Sequence, residues 1–253
     1  MSKIIRIKKF YVKIFDTRQE MGACAAFDII EAINQVLSEK DDCNIIFAAA
    51  PSQNEVLSQL ANCSCVDFSR VNAFHMDEYL GLEADAPQGF ANFLRKALFN
   101  NVKFKSVNCL DGTVLDVRAE CERYSALLQK YPVDIVCMGI GENGHIAFND
   151  PPVADFEDAF LVKQVELDEV CRNQQVHDGC FASLNDVPTS ALTLTVPALI
   201  HAAKIFCVVP SSTKAQAVQN TLIGDVSTSC PASILRNHPH ATLYLDADSS
   251  GLL

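Results

Sequence analysis

The sequence has no apolar run that reaches the roughly 18 residues a membrane-spanning helix needs. A short, interrupted apolar stretch at residues 10–16 follows the basic N-terminal segment. That stretch is too short for the core of a secretory signal. Both absences predict a protein that stays in the cytoplasm and makes no use of a membrane.

Paired cysteines with the CxxC spacing of many metal sites are also absent. The 11 cysteines are scattered from Cys24 to Cys230, and several lie in apolar stretches. A disulfide framework is typical of small secreted domains, whereas this chain has 253 residues and an odd cysteine count. The pattern predicts reduced, mostly buried thiols and no metal site.

An excess of positive charge is the third thing the sequence lacks. The formal net charge is −11, which argues against a general nucleic-acid surface. A small anionic ligand is still compatible with this charge. It must then be held by local groups, such as a lysine and the N-termini of helices, rather than by the field of the whole protein.

Apolar, β-branched runs alternate with helical patterns along the chain, which is typical of βαβ proteins. We predict strands at residues 11–15, 44–48, 71–76, 133–139, 191–196 and 204–209. We predict helices from Asp16, with apolar residues at four-residue steps to Leu37, from Pro51, and over 88–99, 116–130 and 211–222. The near-continuous apolar strands predict one α/β domain over residues 1–253, with a mostly parallel sheet and helices on both faces.

Ligands of open α/β sheets bind beyond the carboxyl ends of the strands, so the segments that follow strands are the first candidates. One such segment contains the adjacent acids Asp77 and Glu78. Neighbouring side chains at a strand end point in different directions, so the two acids can have different roles. Taken alone, such a pair is more often a helix cap or a solvated turn.

A glycine-rich turn with a histidine follows the strand predicted at 133–139. It contains Gly141, Asn143, His145 and Asp150. Glycines let backbone N–H groups approach a ligand, and histidine transfers protons near neutral pH while a carboxylate orients it. The structural alternative is a tight turn around a buried histidine. The histidine and the Asn-Asp-Pro that follow favour a catalytic function.

Two further segments suggest an anion site. Lys214 lies in the first turn of a predicted helix, where a cation is unfavourable unless an anion is also bound. The small residues Ala49, Ala50 and Ser52 follow another strand and would let a phosphate reach backbone N–H groups. An ordinary exposed lysine and a plain packing turn are the alternatives.

Taken together and in order, these segments resemble the glucosamine-6-phosphate deaminase/isomerase family, which shares a superfamily with 6-phosphogluconolactonase. The resemblance covers about residues 20–248. The matching segments are FHMDEYLGL (74–82), PQGFANFL (87–94), DIVCMGIGENGHIAFNDP (134–151), DVPTSALTLTV (186–196), STKAQAV (212–218) and PASILRNHP (231–239).

The resemblance implies a modified doubly wound fold and the conversion of an amino-sugar 6-phosphate and water to fructose 6-phosphate and ammonia, without a metal or organic cofactor. It implies that Asp77 moves the proton between C2 and C1 and that His145 opens the sugar ring. Asn143 and Asp150 would tune the histidine, and Lys214 would hold the phosphate. A homo-oligomer is compatible with the sequence.

The chain departs from the family pattern at three places. The family's Gly-Ser-Thr-Pro phosphate loop is Ala-Ala-Ala-Pro at residues 48–51, so Ala49 and Ala50 offer only backbone N–H groups, and Ser52 or Gln53 must supply side-chain donors, with Gly141 as a further substrate-binding position. The usual Asn-Glu-Pro is Asn-Asp-Pro at 149–151. An arginine that usually precedes a Phe-Phe pair is missing from residues 171–181.

Two other functions compete with deamination. A 6-phosphogluconolactonase shares the glycine-rich turn and the histidine, but typically has Asp-Glu-Arg where this chain has Asp-Glu-Tyr at 77–79. A non-catalytic sugar-phosphate sensor is suggested by the altered phosphate loop. No basic helix-turn-helix segment precedes residue 20, and both Asp77 and His145 are present, which favours catalysis.

Overall fold

The computed structural model describes residues 3–7 and 9–253, so Met1, Ser2 and Lys8 of the predicted domain lie outside the described residues. The strands are β1 (Lys3–Ile7), β2 (Phe10–Ile14), β3 (Cys43–Phe47), β4 (Val71–His75), β5 (Asp77–Tyr79), β6 (Ser106–Asn108), β7 (Ile135–Met138), β8 (Val162–Glu166), β9 (Ser190–Leu194), β10 (Lys204–Val209) and β11 (Ala241–Leu245). The α-helices are α1 (Arg18–Glu39), α2 (Asn54–Ala61), α3 (Phe90–Leu94), α4 (Val117–Lys130), α5 (Glu169–His177), α6 (Val196–Ile200) and α7 (Ala215–Ile223).

The first helix confirms the period seen in the sequence. Its N-cap is Thr17, whose side chain accepts a hydrogen bond from the backbone N–H of Glu20. The apolar residues at four-residue steps are all buried; they are Met21, Ala25, Ile29, Ile33 and Leu37. This face packs α1 onto the sheet, and Glu55 of α2 lies close against Gly22.

The larger sheet has the strand order β1-β2-β11-β10-β7-β3-β4-β6. All its strand pairs are parallel except β1 with β2. From β3 the chain moves outward to β4 and β6, and then returns to place β7 on the other side of β3. The strand order therefore reverses between β3 and β7, the kind of point where doubly wound sheets bind ligands.

Helices cover both faces of this sheet, as the sequence predicts. One core cluster contains buried residues of α1 and α2 together with Ile45, Cys137 and Val208. The other contains residues of α4 and α7 together with Ile46 and Val136. Successive strand residues thus enter opposite cores, because side chains alternate across a strand.

A second, three-stranded sheet has the order β5-β9-β8 and is antiparallel. The prediction that residues 191–196 extend the parallel sheet is therefore wrong. Four of the five residues of β9 are buried, so its apolar run looks like that of a parallel strand. The chain changes from one sheet to the other immediately after β4, which places Asp77 at the first residue of β5.

The prediction of mostly buried thiols holds for five cysteines, while five others are partly buried. All 11 cysteines are free, and only Cys65 is exposed. None of the helices in residues 3–7 and 9–253 is long and apolar enough to cross a membrane.

Candidate active site

A cleft of about 270 Å³ opens at the point where the strand order reverses. Its walls come from the segments that follow β3, β7 and β10, from the start of β5, and from the end of α5. Seven of the nine predicted site residues line it: Ala49, Ala50, Ser52, Asp77, Gly141, His145 and Lys214. Asn143 and Asp150, the other two, lie directly behind His145.

The side chain of Gln53 connects three of the segments that form the cleft walls. Its buried amide nitrogen lies 3.2 Å from the carbonyl oxygen of Val208, 3.4 Å from that of Met138, and 3.1 Å from the hydroxyl of Ser52. These partners belong to the ends of β10 and β7 and to the turn after β3. A single side chain therefore sets the spacing of three strand ends that face the cleft.

Asp77 and Glu78 point in different directions, as the sequence predicts. Glu78 accepts hydrogen bonds from the backbone N–H groups of Tyr79, Phe90 and Ala91, at 2.8–3.0 Å. It therefore caps the start of α3 and has a structural role. Asp77 faces the cleft and is 8% exposed.

The environment of Asp77 raises its pKa well above the usual value for a carboxyl group. Burial is the larger cause, because it disfavours the charged form, and the neighbouring Glu78 carboxylate adds to it. A carboxyl group with a raised pKa holds a proton more strongly once it has accepted one. This is the property a general base needs when it takes a proton from carbon.

His145 lies between the cleft and a buried polar pair. Its Nδ1 lies 2.8 Å from Asp150 Oδ1, but off the direction of a hydrogen bond, so this nitrogen has no hydrogen-bond partner among the described residues. Asn143 accepts a hydrogen bond from the His145 backbone N–H at 3.0 Å and donates one to Asp150 at 2.8 Å. Asn143 thus fixes the histidine and the carboxylate relative to each other.

Asp150 is 1% exposed, yet its pKa lies below the usual value. Burial by itself raises this pKa, but His145, the Asn143 amide and the Cys171 thiol together lower it by more. Asp150 therefore remains an anion beside the imidazole. A fixed anion at this position can stabilise a positive charge that forms on His145 during proton transfer.

The segment after His145 is tied to the second sheet. Asn149 donates hydrogen bonds to the carbonyl oxygens of Ile146 and Leu194 at 2.9 and 2.8 Å. The backbone N–H of Phe148 donates to the hydroxyl of Thr193 at 3.1 Å. These bonds fix the Ile-Ala-Phe-Asn part of the motif, and with it the direction in which Asp150 points.

Gly141 is required because the His145 ring lies directly against it. A Cβ atom at position 141 would come within 2.2 Å of the imidazole ring. At Gly139, two residues earlier, a Cβ would approach no atom closer than 3.3 Å. The glycine at 141 therefore lets the histidine occupy its position between the cleft and Asp150.

We expect Gly141→Ala to displace the imidazole, to lower the free energy of unfolding by about 1–3 kcal/mol through overpacking, and to reduce turnover more than it reduces substrate binding. Steady-state kinetics and thermal unfolding measure these effects. Gly139→Ala is the matched control, and we expect it to reduce turnover much less. Equal losses of turnover in the two variants would contradict the role assigned to Gly141.

Lys214 carries the clearest sign of an anion site. It ends a short 3₁₀ turn, Ser212–Lys214, which leads into α7. Its side chain lines the cleft and is buried, and its Nζ has no hydrogen-bond partner among the described residues. Burial lowers the pKa of Lys214, partly offset by the more distant acids Asp178 and Glu142. A buried ammonium group without a partner is costly, unless an anion from the cleft pairs with it.

Two residues of the cleft wall have backbone conformations that non-glycine residues rarely adopt. The φ angles are +48° at Ala147 and +87° at Ser211. Both residues line the cleft. Strained backbone of this kind often occurs at functional sites, where the surrounding structure enforces it. Here Asp246 accepts hydrogen bonds from the Ser211 N–H at 3.1–3.2 Å and so stabilises that conformation.

Among the lining residues that the sequence analysis did not predict are four with polar or charged side chains: Arg18, Gln174, Gln175 and Asp178. Gln174 accepts a hydrogen bond from the backbone N–H of Glu142 at 2.7 Å and so connects α5 to the glycine-rich turn. Gln174, Gln175 and Asp178 lie on or just after α5, so a search of strand ends passes over them. Arg18 follows β2 by four residues, and the same search could have found it.

The fold places the chain among α/β proteins with a binding cleft at a point of strand-order reversal. A sequence profile of the family described as glucosamine-6-phosphate isomerases/6-phosphogluconolactonase matches residues 16–244. The chain belongs to this family.

Among its relatives, glucosamine-6-phosphate deaminase from Listeria innocua is 36% identical over 210 residues, which cover 83% of this chain and 88% of the relative. Glucosamine-6-phosphate deaminase from Streptococcus pneumoniae is 37% identical over 190 residues, which cover 75% of this chain and 79% of the relative.

Solved structures show the same fold. A structure described as a monomeric glucosamine-6-phosphate deaminase superimposes with a TM-score of 0.86 at 28% identity, over 96% of this chain and 99% of that chain. A 6-phosphogluconolactonase from Trypanosoma brucei superimposes with a TM-score of 0.80 over 96% of this chain and 98% of that chain. Its identity is 18%, and the likeness therefore concerns the fold alone.

Proposed function

We propose that this protein is a deaminase that converts glucosamine 6-phosphate and water to fructose 6-phosphate and ammonia. The observation that carries the proposal is a single cleft lined by a carboxyl group of raised pKa (Asp77), a histidine backed by a carboxylate (His145), and a buried lysine without a partner (Lys214). The reaction needs a base, a separate acid/base for ring opening, and an anchor for the phosphate. The relatives named above support this assignment.

The phosphate binds at the ends of β3 and β10. Lys214 supplies the charge, and the turn at residues 48–52 supplies backbone N–H groups and the Ser52 hydroxyl. A fixed phosphate orients the rest of the sugar, so that the reacting carbons reach Asp77 in one geometry. This anchoring turns the encounter of base and substrate into an effectively unimolecular step.

Ring opening is the task of His145. The imidazole accepts a proton from the anomeric hydroxyl and returns one to the ring oxygen, while Asp150 stabilises the imidazolium that forms between the two transfers. Asn143 keeps the carboxylate in place. The open-chain sugar then lies with C1 and C2 near Asp77.

Asp77 moves the proton between C2 and C1 of the open-chain sugar. Removal of the C2 proton gives an enol-type intermediate, and return of a proton to C1 leaves an imine at C2. Addition of water and loss of ammonia from C2 give fructose 6-phosphate.

The clearest test measures ammonia release from glucosamine 6-phosphate, galactosamine 6-phosphate and unphosphorylated glucosamine, beside hydrolysis of 6-phosphogluconolactone. We expect release from glucosamine 6-phosphate to be the fastest. Hydrolysis of the lactone without any ammonia release would assign the protein to the other branch of its family.

We expect Lys214→Met to raise KM for the sugar phosphate about 10- to 150-fold. A charge-assisted hydrogen bond contributes about 1.5–3 kcal/mol, and about 1.4 kcal/mol corresponds to a tenfold change in affinity. Because anchoring also orients the sugar, kcat should fall as well. Steady-state kinetics measure both constants.

The turn at residues 48–52 offers a way to check that Lys214 acts on the phosphate. Adding hydroxyl groups by Ala49→Ser and Ala50→Thr in the Lys214→Met protein should recover part of the lost affinity. The exposed Lys96, replaced by Met, is the control for loss of one positive charge. An unchanged KM in Lys214→Met would remove the phosphate assignment.

We further propose that the enzyme works in the cytoplasm and that residues 1–253 form one catalytic domain. The free cysteines support a reducing compartment. All the residues to which we assign a role in the reaction belong to one chain. We therefore propose a site that does not depend on a homo-oligomer.

A further inference from the structure

A buried thiol lies beside His145 and Asp150, and the chemistry proposed above gives it no contact with the substrate. Cys171 lies on α5 and is 1% exposed. Its Sγ, a ring nitrogen of His145 and a carboxylate oxygen of Asp150 all lie within 4.8 Å of one another. A neutral imidazole, a carboxylate and a thiolate are the ligands that Zn²⁺ prefers in proteins.

Two of the ligand atoms are left without hydrogen bonds. Neither His145 Nδ1 nor Asp150 Oδ2 makes a well-directed hydrogen bond among the described residues, although Nδ1 lies 2.8 Å from Asp150 Oδ1 and the Cys171 thiol is close enough to Asp150 to lower its pKa. Buried polar atoms without partners are rare and need an explanation, such as an ion that occupies the space between them.

The spacing of the three atoms is close to that around a metal ion. Ligand atoms of a tetrahedral Zn²⁺ lie roughly 3.2–3.8 Å apart, as bond lengths of about 2.0–2.3 Å require. The 2.8 Å contact of His145 Nδ1 is with Asp150 Oδ1, so Oδ2 must turn toward the cation, and a separation near the upper limit of 4.8 Å must close by about 1 Å. Rotations of the imidazole and of the thiol can supply these shifts.

We propose that His145, Asp150 and Cys171 form an inhibitory site for a thiophilic divalent cation, with Zn²⁺ as the ion that fits best. The cation enters from the cleft, which His145 lines. On binding, the Cys171 S–H bond breaks, the sulfur bonds to the cation, and the proton leaves to solvent. A water molecule that enters with the cation supplies the fourth ligand.

Occupation of this site stops ring opening. A cation on Nδ1 takes the lone pair of His145 and the charge of Asp150, so the imidazole can no longer become an imidazolium stabilised by that carboxylate. The inhibition rests on the proposed function of His145. The binding of the cation does not, and it can be measured without turnover.

The test uses Co²⁺ as a spectroscopic probe on the metal-free protein. We expect one equivalent of Co²⁺ to produce a thiolate-to-cobalt charge-transfer band and tetrahedral d–d bands, which Zn²⁺ abolishes by displacement. In Cys171→Ser we expect the charge-transfer band to vanish and the Kd for Zn²⁺ to rise about 100-fold or more. Cys171→Ala provides a second variant, and thermal unfolding shows that each is folded.

The control addresses another pair of thiols that could bind the same ions. Cys63 and Cys65 do not line the cleft, and their sulfur atoms lie 3.1 Å apart. We expect the Cys63→Ser, Cys65→Ser double variant to keep the cobalt spectrum. Loss of the spectrum in this variant, or a full charge-transfer band in Cys171→Ser, would overturn the proposed site.

A kinetic measurement then separates binding from inhibition. One equivalent of Zn²⁺ should inhibit ammonia release by the wild type at least tenfold and should not inhibit Cys171→Ser. Full turnover with the site occupied would overturn the inhibitory role. A protein that binds Co²⁺ through Cys171 but releases no ammonia under any condition would contradict the proposed function and leave the metal site standing.

Discussion

Replacing Asp77 by Asn is expected to reduce ammonia release from glucosamine 6-phosphate about 100- to 10,000-fold, the usual effect of removing a general base. The amide has the shape of the carboxyl group but cannot accept a proton from C2. The measurement is kcat for the purified variant, together with exchange of the C1 proton of fructose 6-phosphate with solvent. Both should fall together, because both need the same base.

The matched control for Asp77→Asn is Asp85→Asn, which makes the same chemical change at an exposed position. We expect this control to keep wild-type turnover. Near wild-type turnover in Asp77→Asn would exclude Asp77 as the base.

The raised pKa of Asp77 also predicts how the substitution affects stability. Because burial raises the pKa in the folded protein, the unfolded chain releases this proton at lower pH than the folded protein does. Asp77 therefore contributes most to the free energy of unfolding below pH 3.8, its ordinary pKa. That contribution is lost as the pH rises through the raised pKa of the folded protein. Asp77→Asn should therefore be at least as stable as the wild type at neutral pH, with a difference that disappears toward pH 3.8.

Replacing His145 by Gln is expected to reduce forward turnover on the closed-ring sugar about 100- to 10,000-fold, and to affect the open-chain chemistry much less. The reason is that His145 is assigned to ring opening, whereas Asp77 performs the proton transfer on carbon. The observable that separates the two is exchange of the C1 proton of open-chain fructose 6-phosphate, which does not require the ring to open.

The control for His145→Gln is His201→Gln, because His201 is exposed and lies at the end of α6, away from the cleft lining. We expect wild-type kinetics from that control. If C1 exchange in His145→Gln falls as far as forward turnover does, His145 takes part in the proton transfer on carbon, and the assignment to ring opening is wrong.

The sequence alone predicts most of the elements that build the larger sheet. Apolar residues at four-residue steps identify α1, and short β-branched runs identify β3, β4, β7 and β10. Burial imposes a regular spacing of apolar residues on each of these elements, and that spacing can be read from the local sequence. The position of the cleft could also be predicted from the sequence. Polar residues and glycines at the ends of parallel strands meet at one edge of the sheet, whichever strands are neighbours.

The elements that were missed have weaker local signals. The short strands β5 and β6 have three residues each, too few for a period to be read, and the five-residue strands β1, β8 and β11 were also not predicted. The interpretation of β9 as a parallel strand failed because a buried strand has the same composition in either direction. Strand direction is a property of pairing between distant segments, which the local sequence does not contain.

The same distinction applies to the candidate site. The sequence alone determined that an acid, a histidine and a lysine follow strands, because residue type and position after an apolar run are written in the chain. Only the tertiary structure decided that Glu78 caps a helix while Asp77 faces the cleft, and that Lys214 is buried without a partner. It also brought Cys171, Gln174 and Gln175 to the cleft region from a helix. Burial and the distances between groups set their pKa values and their roles, and both arise only when segments remote in sequence pack together.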